Sequence, residues 1–266
     1  MEHKGENKMI STVFFDLDDT LLWDRKSIKE AFQATCGLVN QVDSETLEHE
    51  VRKEAKKLYQ SYPTYAFTKM IGINPFEGLW GTFNDQGDQF QKMHRIMPEY
   101  RIDAWTNGLK ACGIDNPELG EMLAGQFIIE RKKHPFVYAD TFAVLNELKS
   151  DFQLLLLTNG SPSLQQTKLE MTPEIAEAFD HIIISGQFGR GKPDPSIFDY
   201  SLKKADVKPE EVIMIGDNLM TDILGANRSN IKNIWINHDN QITDQVKPTY
   251  EVNELKEVLP IIQDLK

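Results

Sequence analysis

Three carboxylates, Asp16, Asp18 and Asp19, follow directly on the apolar run Val13-Phe14-Phe15. Like charges at that spacing repel one another and cost stability unless something positive stands among them. The same pattern recurs far downstream. Val212-Ile213-Met214-Ile215 runs into Gly216-Asp217, and Asp222 follows about one turn later. A third apolar run, residues 152–157, is closed by Thr158-Asn159-Gly160, and Gly189-Arg190-Gly191-Lys192-Pro193-Asp194 supplies a lysine framed by glycines and a proline. The carboxylates and the hydroxyl offer the hard oxygens that hold a divalent cation, most naturally Mg²⁺, and the lysine adds a positive charge suited to an anionic ligand.

Such groups work together only if the chain brings them together. The runs at 13–15, 152–157, 181–184, 212–215 and 233–237 are almost continuously apolar rather than alternating, which suits strands of a parallel sheet covered on both faces. Helical stretches at 163–171, 195–205 and 222–228 separate the later strands, and this alternation predicts a doubly wound, Rossmann-like α/β core. Open parallel sheets bind ligands beyond the carboxyl ends of their strands. Asp16, Asp18, Thr158, Asp217 and Asp222 all fall at such ends. Residues 22–138 read differently. They hold helical periods, such as Leu47, Val51, Ala55 and Leu58 on one stripe, and no convincing strand. Ile128-Ile129 is the best strand-like pair there and is too short to count. The expected organisation is a core of residues 9–21 and 139–266, with residues 22–138 as an inserted α-helical domain.

Asp16-Leu17-Asp18-Asp19-Thr20, Thr158, Lys192 and Gly216-Asp217-Asn218 with Asp222 resemble, in order and setting, the four motifs of the haloacid dehalogenase-like hydrolase superfamily. The helical insertion resembles that family's cap between motifs one and two. The resemblance implies a Mg²⁺-dependent phosphatase. Asp16 is then the nucleophile that forms an aspartyl-phosphate, and Asp18 the general acid and base. The metal is held by Asp16, the Asp18 backbone carbonyl and Asp217, with Asp222 in support. Thr158, Asn159 and Lys192 bind the phosphoryl group. The leaving group of a phosphate ester needs a proton, whereas a halide does not, so Asp18 argues for phosphoryl transfer and against metal-free 2-haloacid dehalogenation. A phosphomutase shares these residues, and a non-enzymatic binding protein would be expected to have lost at least one. The small-metabolite phosphatases of the family suggest phosphoserine as substrate, with nucleoside monophosphates second.

Simpler readings exist for single residues. Asp222 in a first helical turn is favoured by the helix dipole, and Thr158-Asn159-Gly160 alone is an ordinary turn. The stretch Gly186-Gln-Phe-Gly-Arg-Gly191-Lys192 imitates a nucleotide-binding loop, but Pro193 stands where that loop requires Ser or Thr. The aromatic groups Tyr59, Tyr62, Tyr65 and Phe67, then Phe76, Trp80 and Phe83, then Tyr100 and Trp105, read mainly as helix packing.

The bulk properties narrow the class. The formal net charge of −12 over 266 residues argues against nucleic acid as a partner, while leaving small anionic metabolites open. A mean hydropathy of −0.43 is that of an ordinary soluble protein. No stretch has the roughly 20 apolar residues of a membrane span. The polar leader Met1–Lys8 does not have the form of a signal peptide. Cys36 and Cys112 form no paired motif and suit a reducing compartment. The expectation is a cytoplasmic monomer or homodimer without membrane association.

Overall fold

The computed structural model describes residues 9–242 and 244–266. The leader Met1–Lys8 lies outside the described residues. The chain divides into two compact units: one formed by the residues up to Leu22, Val137–Thr158 and Thr172–Lys266, the other by Trp23–Phe136 and Asn159–Met171.

The first unit is built on a six-stranded, wholly parallel sheet. Its strands are β1 (Thr12–Phe15), β2 (Gln153–Thr158), β3 (His181–Ile184), β4 (Val212–Gly216), β5 (Lys232–Ile236) and β6 (Tyr250–Val252), in spatial order β3-β2-β1-β4-β5-β6. The order reverses between β1 and β4, so successive strands wind outward from that pair in opposite directions, which is the doubly wound arrangement. Val13, Phe14 and Phe15 are wholly buried. Phe14 shares a core with Leu155, Leu157 and Met214 of the neighbouring strands and with Ile197, Phe198 and Leu202 of the helix Pro195–Ala205. Phe15 meets the edge of Phe179, ring centroids 6.0 Å apart. Each such side chain contributes about 1.5–3 kcal/mol on burial. The continuous apolar runs are therefore a consequence of a sheet with two dry faces.

Register decides what stands at the sheet's carboxyl edge. Phe15 pairs with Leu156 on one side and Ile215 on the other. The next residue, Asp16, still donates its N–H to Ile215 O at 2.9 Å. It thus leaves the sheet between Leu157 and Gly216.

The second unit is helical. Its longer helices are Asp24–Cys36, Ser44–Ser61, Asp88–Ala111, Pro117–Lys133 and Pro162–Met171. The Ser44–Ser61 helix begins where Asp43 accepts from Thr46 N at 2.9 Å, and it buries Leu47, Val51, Ala55 and Tyr59. Leu58, placed on that stripe from the sequence, is only partly buried. Phe32, Trp105 and Phe127 pack as an aromatic centre with centroids 4.6–5.8 Å apart. Ile128-Ile129 lies inside the Pro117–Lys133 helix, whose buried face runs through Gly120, Leu123, Ala124, Phe127 and Arg131. That spacing of three and four overrides the local β preference of two adjacent isoleucines. Two ion pairs are buried in this unit: Arg131 with Asp24, and Lys168 with Glu77 at 3.0 Å. Among the described residues no helix is long and apolar enough to cross a membrane.

Candidate active site

Beyond β1 the chain makes a tight return. Leu17 O accepts from Leu21 N (3.0 Å) and Leu22 N (2.9 Å), and Asp19 sits in the left-handed region at φ 60°. Aspartate tolerates that conformation better than most side chains. Asp16, at the start of this return, is 8 % exposed, and Asp18 is half-buried.

Lys192 arrives from the loop ahead of the Pro195–Ala205 helix and is itself buried. Its Nζ donates to Asp16 Oδ1 and to Leu157 O, both at 2.6 Å, and lies 2.7 Å from Asp222 Oδ1. Burial disfavours the ammonium, but the two carboxylates outweigh it and hold Lys192 above the ordinary lysine range. Burial likewise pushes the Asp16 carboxyl up to about 6; Lys192 opposes the rise and Asp222 adds to it.

β4 delivers the other carboxylates. Asp217 follows Gly216 directly, and its N–H donates to Thr20 Oγ1 at 3.1 Å. Asp222 is almost wholly buried, and its Oδ2 accepts from Asn218 N at 3.1 Å. Gly216 makes room for it, since a Cβ there would come 2.3 Å from Asp222 Oδ2. The helix expected over 222–228 begins differently. A wide π turn, Leu219–Ile223, precedes the α-helix Leu224–Arg228. Asn218 caps this turn by accepting from Met220 N, and the Asp222 carboxylate bends back to Asn218 N.

Carboxylate oxygens of Asp16, Asp217 and Asp222 lie within 4.8 Å of one another. Three hard oxygens at that separation, two of them on nearly dry side chains, suit a small divalent cation such as Mg²⁺. The Asp18 carboxylate is not part of this trio. Thr158 is buried at the end of β2 and pairs with Ile184. The chain passes into the helical unit at Asn159. There Asn159 packs on Gly72, at φ 80°, where a Cβ would come 2.5 Å from its Nδ2. Asp16, Lys192, Asp217 and Asp222 are thus gathered in the sheet unit, with Asp18 and Thr158 on adjoining strand ends, whereas Asn159 belongs to the other unit.

Several supporting residues escaped the sequence reading. Trp235 Nε1 donates to Asp217 O at 2.7 Å, and His238 Nε2 lies 2.9 Å from Asp19 O. Thr20 is visible in the first motif as a residue type, but nothing in the sequence marks it as the partner of Asp217.

A profile of the haloacid dehalogenase-like hydrolase family matches residues 10–230. The phosphoserine phosphatase of Thermus thermophilus is 32 % identical over 92 % of this chain and 96 % of its own length. The pyrimidine 5′-nucleotidase YjjG of Escherichia coli is 34 % identical over 44 % of this chain and 52 % of its own. Among solved structures, the HAD hydrolase YfnB of Bacillus subtilis, bound to magnesium, superposes with a TM-score of 0.68 at 21 % identity, covering 96 % and 99 % of the two chains. Sequence, sheet order and carboxylate placement agree, and the chain belongs to the haloacid dehalogenase-like hydrolase family.

Proposed function

We propose that the protein is a Mg²⁺-dependent phosphatase that hydrolyses a small phosphomonoester through a phosphorylated Asp16. The observation that carries this reading is the buried contact of Lys192 with both Asp16 and Asp222, with Asp217 alongside. A carboxylate attacks phosphorus without needing a base, and Asp16 is placed at the sheet edge where ligands bind. Lys192 lowers the repulsion between that carboxylate and an anionic substrate. Asp18, two residues on and partly open to solvent, donates a proton to the leaving alkoxide and later takes one from water. Thr158, buried at the end of β2, helps bind the phosphoryl oxygens. Asp16, Asp217 and Asp222 would hold Mg²⁺, together with the Asp18 backbone carbonyl, and the ion would neutralise charge on the transferring group. The magnesium bound by YfnB supports that choice of cation.

The helical unit is the cap that selects the substrate in this reading. Phosphoserine is favoured, because the phosphoserine phosphatase of Thermus thermophilus matches along nearly its whole length. A nucleoside monophosphate is the second reading, supported by the shorter match to YjjG. The two free cysteines fit a reducing, cytoplasmic setting. The test is phosphate release by the purified protein with Mg²⁺ across a panel of phosphorylated metabolites. Phosphoserine is expected to give the highest kcat/KM. Release from no member of the panel contradicts the phosphatase reading, and a nucleotide preference replaces phosphoserine with the second reading.

A further inference from the structure

Two side chains associated with β5 reach the acidic loops without contributing a carboxylate or a phosphate ligand of their own. Trp235, the fourth residue of β5, packs its ring among Ile223 and Val246, and its Nε1–H donates to Asp217 O at 2.7 Å. His238, two residues past the end of β5, places Nε2 2.9 Å from Asp19 O. A carbonyl only accepts, so Nε2 carries the proton. The imidazole lies flat on Tyr138, ring centroids 4.6 Å apart and planes within 10°.

The effect is a grip on two peptides. Asp217 is held through its N–H by Thr20 Oγ1 and through its C=O by Trp235. Asp19, next to Asp18, is held through its carbonyl by His238 in a left-handed conformation that external contacts must maintain. The β1 and β4 loops are therefore tied to each other through Thr20 and to β5 through an indole and an imidazole. We propose that Trp235 and His238 are positioning residues: Trp235 fixes Asp217 for the metal, and His238 fixes the turn that aims Asp18. This rests on the phosphatase reading above.

The two roles separate experimentally. The Trp235→Phe variant keeps an aromatic ring in the core but removes the pyrrole part of the indole with its N–H. It therefore also leaves a small void beside Ile223 and Val246 and lowers the melting temperature. Val246→Ala, which opens a void against the same ring and spares the N–H, is the control. Partners of this kind are worth about 10–100-fold in metal affinity or activity. Calorimetric titration with Mg²⁺ alone, run well below the melting temperature of each metal-free variant, is expected to show about tenfold weaker binding for Trp235→Phe and wild-type binding for Val246→Ala. His238→Leu is expected to lower kcat about tenfold with little change in KM, and His238→Gln, which retains a donor, to recover part of that loss. If Val246→Ala weakens Mg²⁺ binding as much as Trp235→Phe does, or if His238→Gln performs no better than His238→Leu, the side chains are structural only and the proposal fails. If the wild-type protein binds Mg²⁺ and releases phosphate while Trp235→Phe and His238→Leu match it, positioning alone is overturned. A wild-type protein that does neither overturns the phosphatase reading, and this proposal with it.

Discussion

Lys192 Nζ and Asp16 Oδ1 lie 2.6 Å apart although 176 positions separate them in the chain. The contact exists because β1 is flanked by β2 and β4, so that Leu157 O and Asp222 also reach the same ammonium. Two carboxylates around one buried cation leave a negative excess, and Asp217 beside them increases it. A second cation is the natural complement.

Replacing Lys192 by Met removes the charge from this arrangement and leaves Asp16 and Asp222 facing each other. Loss of a charge-assisted donor at a transferring group costs about 3–4 kcal/mol, or about a hundred- to a thousand-fold in kcat. Lys192→Arg keeps the charge but presents a bulkier planar fork and is expected to rescue only in part. Rates measured at saturating Mg²⁺ decide the matter. Two variants with wild-type kcat would remove Lys192 from the chemistry.

Proton and metal compete for Asp16. Burial raises its carboxyl from 3.8 to about 6, so the folded, metal-free protein retains a proton there that the unfolded chain has lost. The stabilisation from that proton is complete below about pH 4 and fades as pH rises through about 6. Mg²⁺ needs the ionised form, so its binding is expected to weaken as pH falls through about 6 and to release protons near that pH. Calorimetric titrations in buffers of different ionisation enthalpy measure this release directly. Affinity independent of pH between about 5 and about 7.5 would place the metal away from Asp16.

In the helical unit, Lys168 and Glu77 form a pair in which both side chains are almost wholly buried. Glu77 also accepts from Asn74 N at 2.9 Å, closing the turn ahead of Pro75–Gly78. Lys168→Met strands a buried carboxylate and is expected to cost about 3–5 kcal/mol in denaturant unfolding. Adding Glu77→Gln should recover much of that, since the amide oxygen still caps the turn. A loss below about 1 kcal/mol for Lys168→Met alone would mean that the pair behaves as a solvated surface contact.

Much of the sheet unit was legible because buried parallel strands must be apolar along their whole length. The runs at 13–15 and 212–215 differ from the observed β1 and β4 by one residue. β6 was not visible. It is three residues long, and Glu251 at its centre breaks any apolar run. The helix expected over 222–228 begins instead at Leu224, after a π turn, because its start depends on where the Asn218 and Asp222 side chains bond, which periodicity does not record. The acidic residues were recognisable as residue types at strand ends. Trp235 and His238 were not, because an indole in a strand and a histidine in a loop look ordinary until the sheet order sets them beside Asp217 and Asp19.

The central claim is that Asp16 itself carries the phosphoryl group. Acid quench of the enzyme during turnover of phosphoserine with Mg²⁺, followed by peptide mass analysis, tests it most directly. The expected result is one phosphoryl group on the peptide containing Asp16 in the wild-type protein. The Asp16→Asn variant, which keeps size and hydrogen bonding but not the nucleophile, should carry no label and release no phosphate while remaining folded. An Asp16→Asn variant that turns over at the wild-type rate, or a label found on another residue, would contradict the account.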